Sequence, residues 1–333
     1  MKIYKYKNIL IGDRKMKKKI MLMAAILIIA IVSTVVYAQV GKNKDLQANS
    51  SSEQSEVVKI THQLGEASFN KNPKKVVVFD YGIADALDKI GVEITALPKS
   101  NVPSFLEKFK ADKYTDVGTL QQPNFEKIHE LKPDLIIISG RQSTLYEEFK
   151  KIAPTVYMTI DNKDYMASFR SNMKTLGNIF SKGDVVEKEL KLIDDSVKAL
   201  NQKVTASGKN ALVILANEGA LSAYGQVSRF GIIHNAFGFV PVDKNIEVST
   251  HGQSVSYEYI VEKNPDYLFV VDRNAVVGGS ANASKTLEND LIKTTSAYKN
   301  KQIINLDPQV WYVSVGGFTS TAKMIDEVKA AIK

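Results

Sequence analysis

The sequence predicts an α/β protein: two Rossmann-like lobes with mostly parallel sheets, joined by a long helical spacer. Three observations carry that expectation. Short β-branched runs alternate with amphipathic helical stretches, the pattern of α/β units. About 40 residues in the middle of the chain are helical with no strand among them. A unit in the first half also recurs in the second at a constant offset.

At the N-terminus, Arg14, Lys15, Lys17, Lys18 and Lys19 precede an apolar run from Ile20 to Val36, followed by Tyr37-Ala38 and then polar sequence. A basic region, a hydrophobic stretch and small residues before a cleavage point form an export signal. The run is long for a cleaved signal and short for a membrane span. Residues 1–38 are therefore either a signal peptide cleaved after Ala38 or a retained anchor, and Met16 can serve as an alternative start. Either way the bulk of the chain is exported, to the periplasm or the outer face of the cytoplasmic membrane. Residues 39–57 are polar and rich in Ser, Asn and Gln, a flexible tether.

The first lobe is expected over 58–163. Its strands are Val76–Phe79, Leu135–Ser139 and Val156–Ile160, and its helices Ile83–Ile90, Phe125–Leu131 and Leu145–Ile152. The linking helices span 164–206. Tyr165–Phe180 leads into a second helix whose apolar stripe runs through Val186, Leu190, Ile193, Val197, Leu200 and Val204. The second lobe, 207–333, has strands Ala211–Ala216, Leu268–Val271 and Ile303–Leu306, and helices Tyr257–Glu262 and Thr321–Ile332.

The repeat joins the lobes. Phe125-Glu126-Lys127-Ile128, Lys132-Pro133-Asp134-Leu135-Ile136 and Arg141 match Tyr257-Glu258-Tyr259-Ile260, Asn264-Pro265-Asp266-Tyr267-Leu268 and Arg273. Each copy reads as helix, Pro-marked turn, buried strand and then an arginine at the strand's carboxyl end, where open α/β sheets bind ligands. Lobes that face one another would aim both arginines into one cleft.

Composition excludes several function classes. The net charge of +8 is concentrated in residues 1–59, with eleven Lys/Arg against four acids, which leaves 33 Lys/Arg against 32 Asp/Glu beyond them. A general nucleic-acid-binding surface is not indicated. The absence of cysteine removes disulfides, thiolate metal sites, cysteine nucleophiles and an N-terminal lipid anchor. No G-x-G-x-x-G follows a strand, and neither a phosphate-binding loop of the G-x-x-x-x-G-K-[ST] type nor G-x-S-x-G is present, so no enzyme is expected. His62, His129, His234 and His251 are dispersed. His129 and His234 sit at helical spacing, where a histidine without a metal is the simpler reading.

Beyond the leader only four arginines occur: Arg141, Arg170, Arg229 and Arg273. Arg170 falls on the helical spacer, a solvated face. The other three lie at strand ends or in a Gly-rich loop, in a chain that otherwise prefers lysine. Choosing arginine there suggests planar, multi-donor recognition of an anion. The alternative is that each pairs with a nearby carboxylate for structure.

The segments Ser139-Gly140-Arg141-Gln142, Ser228-Arg229-Phe230-Gly231-Ile232-Ile233-His234, Ser249-Thr250-His251-Gly252, Asn264-Pro265-Asp266 and Val271-Asp272-Arg273 resemble those of siderophore-binding proteins of ABC importers. They come nearest the group that takes up catecholate siderophores, petrobactin-type ones included. The resemblance spans about residues 58–333 and implies two α/β lobes joined by a rigid helix. It implies binding of a ferric siderophore and delivery to an importer permease, with no intrinsic cofactor, no enzymatic step, a monomer, and membrane contact only through the N-terminal segment. Arg141, Arg229 and Arg273 match the family's cationic pocket, which suits an iron(III) tris-catecholate of about three negative charges. A charge pair ~5 Å apart at an effective dielectric near 20 is worth roughly 3 kcal/mol before desolvation.

His251 and Tyr312 match positions where some members complete the iron's coordination when the siderophore leaves sites open. Tyr312 reads equally as a core plug beside the sole tryptophan, Trp311. Tyr224 and Trp311 are candidates to flank the ligand's aromatic rings, and Asp85 and Asp88 to face the permease. Haem, a corrinoid or a hydroxamate siderophore on the same scaffold is the alternative ligand.

Overall fold

The computed structural model describes residues 56–278 and 287–332. The signal or anchor over 1–38 and nearly all of the tether lie outside them. Among the described residues no helix is long and apolar enough to cross a membrane.

The described chain opens with a hairpin, β1 (Val57–His62) and β2 (Gly65–Asn70). The first sheet follows. Its centre is β3 (Val76–Val78) beside β6 (Leu135–Ile138), flanked by β4 (Ala96–Leu97), β5 (Thr115–Asp116) and β7 (Thr155–Tyr157) in the order β5-β4-β3-β6-β7, all parallel. β3 and β6 are wholly buried β-branched and leucine runs, as a parallel strand covered on both faces requires.

The second sheet is mixed. Its order is β11 (Gln253–Val255), β9 (Ala220–Tyr224), β8 (Asn210–Asn217), β12 (Tyr267–Asp272), β13 (Ile303–Leu306), with β10 (Val240–Pro241) beside the start of β8. β8, β12 and β13 run parallel, whereas β9 is antiparallel to both of its neighbours, β8 and β11. The reason is a tight turn at Glu218-Gly219 with φ of 51° and 84°, both left-handed, which folds β9 straight back on β8.

Two helices join the sheets: α4 (Tyr165–Ile179), capped by Asp164, and α5 (Gly183–Ser207), which stops at Gly208 with φ of 62°. At 25 residues α5 is roughly 38 Å long. It buries the stripe Val186, Leu190, Ile193, Val197, Leu200 and Val204. Arg170 is not merely solvated: it forms an ion pair with Asp194 at 2.6 Å, tying α4 to α5 beside Lys174–Glu187 at 3.0 Å.

The last helix, Phe318–Ala331, was expected with the second lobe but returns to the first. It packs on α5 and on α1 (Tyr81–Lys89). Its first-turn N–H groups need acceptors, and Asp85 of α1 accepts from Ser320 N at 2.8 Å. Tyr165 of α4 accepts from Gly316 N at 3.1 Å and bonds the Thr321 hydroxyl at 3.0 Å. Asp85 is 1% exposed, so it cannot face a permease as the sequence suggested; it is an internal cap. Asp88, one turn on, is partly exposed and paired with Lys108.

This junction leaves no room at Gly317, where a Cβ would stand 2.2 Å from Asp85 Oδ2 and 2.6 Å from Gly82 O. Gly317→Ala should lower stability by about 1–3 kcal/mol, the usual cost of overpacking. Gly183→Ala, whose Cβ meets nothing within 4 Å, should leave stability level or raised. Urea midpoints of the two variants against the parent check this.

Candidate binding cleft

Both copies of the repeat build the same local geometry. Asn124 and Ser256 cap their helices through Lys127 N at 3.0 Å and Tyr259 N at 3.4 Å. Lys132 and Asn264 end them in the left-handed region, at φ of 47° and 42°. After the proline, Asp134 accepts from Lys75 N at 2.8 Å and Asp266 from Asn210 N at 3.1 Å, pinning β6 and β12 to their neighbours. The residue after each arginine then locks the strand end. Buried Gln142 accepts from Ser139 N at 3.2 Å and donates to Leu120 O, and Asn274 accepts from Glu218 N at 3.0 Å.

Arg229 is held differently. Ser228 Oγ donates to Gly225 O at 2.6 Å, and a Cβ at Gly231 would lie 2.1 Å from Gln226 O, so this turn closes only on glycine.

The three arginines converge on one residue. Tyr312 sits on a single π-helical turn, Gln309–Val313, closed by Ser314 N to Gln309 O at 3.1 Å. Such turns recur at functional sites. Arg141 from the first lobe donates through Nη2 to Tyr312 O at 2.8 Å, and Arg229 from the second donates through Nη2 to the same oxygen at 3.1 Å. Arg273 donates through Nε to the Tyr312 hydroxyl at 2.9 Å and through Nη1 to Asn217 Oδ1 at 2.7 Å. The guanidinium carbons of Arg229, Arg273 and Arg141 lie 4.3, 5.8 and 6.0 Å from the Tyr312 ring centroid. Among the described residues the hydrogen bonds of these three go to carbonyl, phenol and amide oxygens, not to carboxylates, whereas Arg170 is carboxylate-paired.

Charge follows from this packing. Burial and the neighbouring Arg141 charge push Arg229 below the ordinary arginine value, and its buried Nε has no acceptor among the described residues. Burial pushes the Tyr312 phenol up, but the Arg273 hydrogen bond and the charges of Arg229, Arg273 and Arg141 outweigh it, so the net shift is downward. The adjoining cleft has a volume of about 410 Å³, and Arg273 reaches it only through the Tyr312 hydroxyl, not as a lining residue. Arg141, Arg229 and Tyr312 line it with Asp80, Thr159 and Asn162, and exposed His251 stands with Thr250 at its second-lobe side.

Two residues singled out from sequence are elsewhere. Trp311 is fully buried, donates to Glu327 Oε2 at 2.9 Å and meets Phe237 edge-on, so it fills the core rather than flanking a ligand. Tyr224 is 3% exposed and packs edge-on against Phe230 behind the cleft wall. His234 is buried with Nδ1 at 3.1 Å from Phe239 O, a core histidine. Sequence reasoning missed Asp80, although it stands two residues past the carboxyl end of β3 and the rule that found the arginines applied to it equally. It also missed Asn217, which steadies Arg273. No cluster of three or more His, Cys, Asp or Glu able to hold a metal occurs among the described residues.

Two α/β lobes on a helical spacer, closing a cationic cleft from both sides, define a solute-binding protein. The chain belongs to the periplasmic binding protein family, whose profile matches residues 76–310. It is 49% identical to the petrobactin-binding protein YclQ of Bacillus subtilis, over 93% of this chain and 98% of that one. It is 35% identical to the ferric-anguibactin-binding protein FatB of Vibrio anguillarum, over 81% and 85%. The crystal structure of YclQ superposes with a TM-score of 0.82 over 84% of this chain and 99% of its own, at 50% identity. That of the periplasmic catecholate-siderophore-binding protein VctP of Vibrio cholerae superposes at 0.79 over 83% and 100%, at 38% identity.

The Tyr312 environment has a spectroscopic consequence. In an alkaline titration followed at the tyrosinate band, one tyrosine should ionise below the ordinary value near 10, and Tyr312→Phe should remove that step. Because the folded value is the lower one, the associated stabilisation exists above the unfolded tyrosine's pKa and is lost as pH falls through the folded one. An unchanged titration curve in Tyr312→Phe would contradict the assignment.

Proposed function

We propose that the chain captures an anionic ferric siderophore of the catecholate type outside the cytoplasmic membrane and delivers it to an ABC importer, without catalysing a reaction. The observation that carries this is the gathering of three guanidiniums from both lobes around Tyr312, none hydrogen-bonded to a carboxylate among the described residues, with Asp80 the single acid lining the cleft. A tris-catecholate iron(III) complex supplies the missing negative charge, and arginine forks suit its catecholate oxygens and ring faces. The likeness to petrobactin- and catecholate-siderophore-binding proteins supports the same ligand class. Neutral hydroxamate complexes or a corrinoid would leave this charge unbalanced, and haem, with two propionates, would offset only part of it.

In this reading Arg141, Arg229 and Arg273 clamp the complex, and Tyr312 and His251 serve as side-chain ligands when the siderophore leaves iron positions open. Phenolate and imidazole suit Fe(III) in principle. The arginines favour this role for Tyr312 by lowering the cost of its phenolate. A first lobe over 58–163, linking helices over 164–206, a second lobe from 207 whose last helix packs back on the first, a monomeric state and attachment through the N-terminal segment complete the proposal. The docking surface for the permease must exclude Asp85, which is internal.

Trp311, the sole tryptophan, adjoins Tyr312 in the chain and gives a fluorescence signal for binding. A quenching titration with ferric tris-catecholates, ferric petrobactin, ferrichrome and haem should favour the first two and weaken with added salt. Losing a charge-assisted hydrogen bond costs about 1.5–3 kcal/mol, so Arg229→Ala with Arg273→Ala should weaken ferric-catecholate binding at least ~100-fold, with the melting temperature little changed. Unchanged affinity in the double variant, or a preference for ferrichrome, would overturn the reading.

A further inference from the structure

A carboxylate stands inside this cationic cleft. Asp80 lines the cleft beside Arg141, is only 9% exposed, and caps α1 by accepting from Ile83 N at 3.0 Å. A helix cap alone needs no such position, because Ser or Asn would serve the N–H groups as well without a charge. An acid facing an incoming trianion opposes binding unless its charge can be removed.

We infer that Asp80 takes up a proton when the anionic complex enters the cleft, making capture proton-linked; the inference rests on the functional reading above. The ionised form of the carboxylate is favoured by the Arg141 charge, by the Ile83 and Gly82 N–H groups and by Ser139 from the end of β6. Burial works against it and already sets its proton affinity above that of an ordinary aspartate. The other titratable groups that feel it are Tyr81 on its own helix and Tyr165 on α4, both pushed up by burial and remaining neutral. Asp85, a turn further on, is committed to the Ser320 N–H.

When the complex binds, Arg141 turns its charge to the ligand and three negative charges arrive nearby. Both changes favour the neutral acid. One proton then moves from solvent to a carboxylate oxygen of Asp80; no other bond is made or broken. The sign separates this from coordination of iron by Tyr312, which would release a proton rather than take one up.

The test is calorimetry on the parent chain from pH 6 to 8, with a hexadentate iron(III) tris-catecholamide that leaves no iron position for Tyr312. Two buffers of different ionisation enthalpy give the protons exchanged, and the free complex is titrated separately. The expected result is net uptake of up to one proton, with affinity falling as pH rises by up to tenfold per unit. In Asp80→Asn the uptake and the slope should vanish, and affinity at pH 8 should rise. Asn retains the cap, and Asp80→Ser gives a second capped variant should the first fold poorly. Parent binding without proton uptake, or an equal slope in a folded variant, overturns the role of Asp80 alone. No binding of the iron(III) complex by the parent overturns the functional reading and this inference with it.

Discussion

Three like charges gathered around one residue repel one another, and two of them ~5 Å apart at a dielectric near 20 do so by roughly 3 kcal/mol. The cleft exists because oxygen atoms of one residue offset that repulsion. The Tyr312 carbonyl takes two guanidiniums, its hydroxyl takes the third, and its ring faces all three. A carbonyl that accepts two charged donors must be free of the helical ladder, and Tyr312 lies in the last turn of Gln309–Val313, where carbonyls have no intrahelical donor.

Holding the charges in place falls to rigid elements. Arg141 and Arg273 leave buried strands at equivalent points, each locked by the amide side chain that follows it, and Arg229 leaves a turn that only Gly231 permits. Such anchoring fixes the donors before a ligand arrives, so less of the binding free energy is lost to ordering side chains.

What was legible in the sequence follows the same division. The buried strands, the α5 stripe and the repeated unit announce themselves by periodicity and turn chemistry, and those signals are local. The three arginines were found because they sit at strand ends or in a Gly-rich loop, in a chain that elsewhere uses lysine. The β8–β9 hairpin was missed because its turn is Glu-Gly rather than Asn-Gly, with Glu218 in a region non-glycine residues seldom occupy. Strands of two residues such as β4 and β5 are too short to show alternation. Trp311 was misjudged for another reason. Neighbours on a π-helical turn face different ways, so Tyr312 reaches the cleft while Trp311 enters the core, and residue type cannot tell them apart. Asp85 reads as a surface acid because its partner, Ser320 N, is 235 residues away.

The placement of Arg141 bears on how the lobes respond to a ligand. It belongs to the first lobe, and its acceptor, Tyr312 O, to the second, so the cleft is already bridged before anything binds. Asn101 donates to Val276 O and Ser104 N to Gln309 Oε1 at 2.7 Å, adding two further bonds across the same divide. The last helix, capped by Asp85, carries the second lobe's chain back onto the first. A wide hinge opening would break the three hydrogen bonds of Arg141, Asn101 and Ser104 across the cleft at once, at about 1 kcal/mol or more for each. An anion that takes over Arg141 replaces one bridge and leaves the others. The mechanically favoured response to ligand is therefore a small adjustment around a pre-bridged cleft, and the change a transporter could sense on loading is chiefly one of charge.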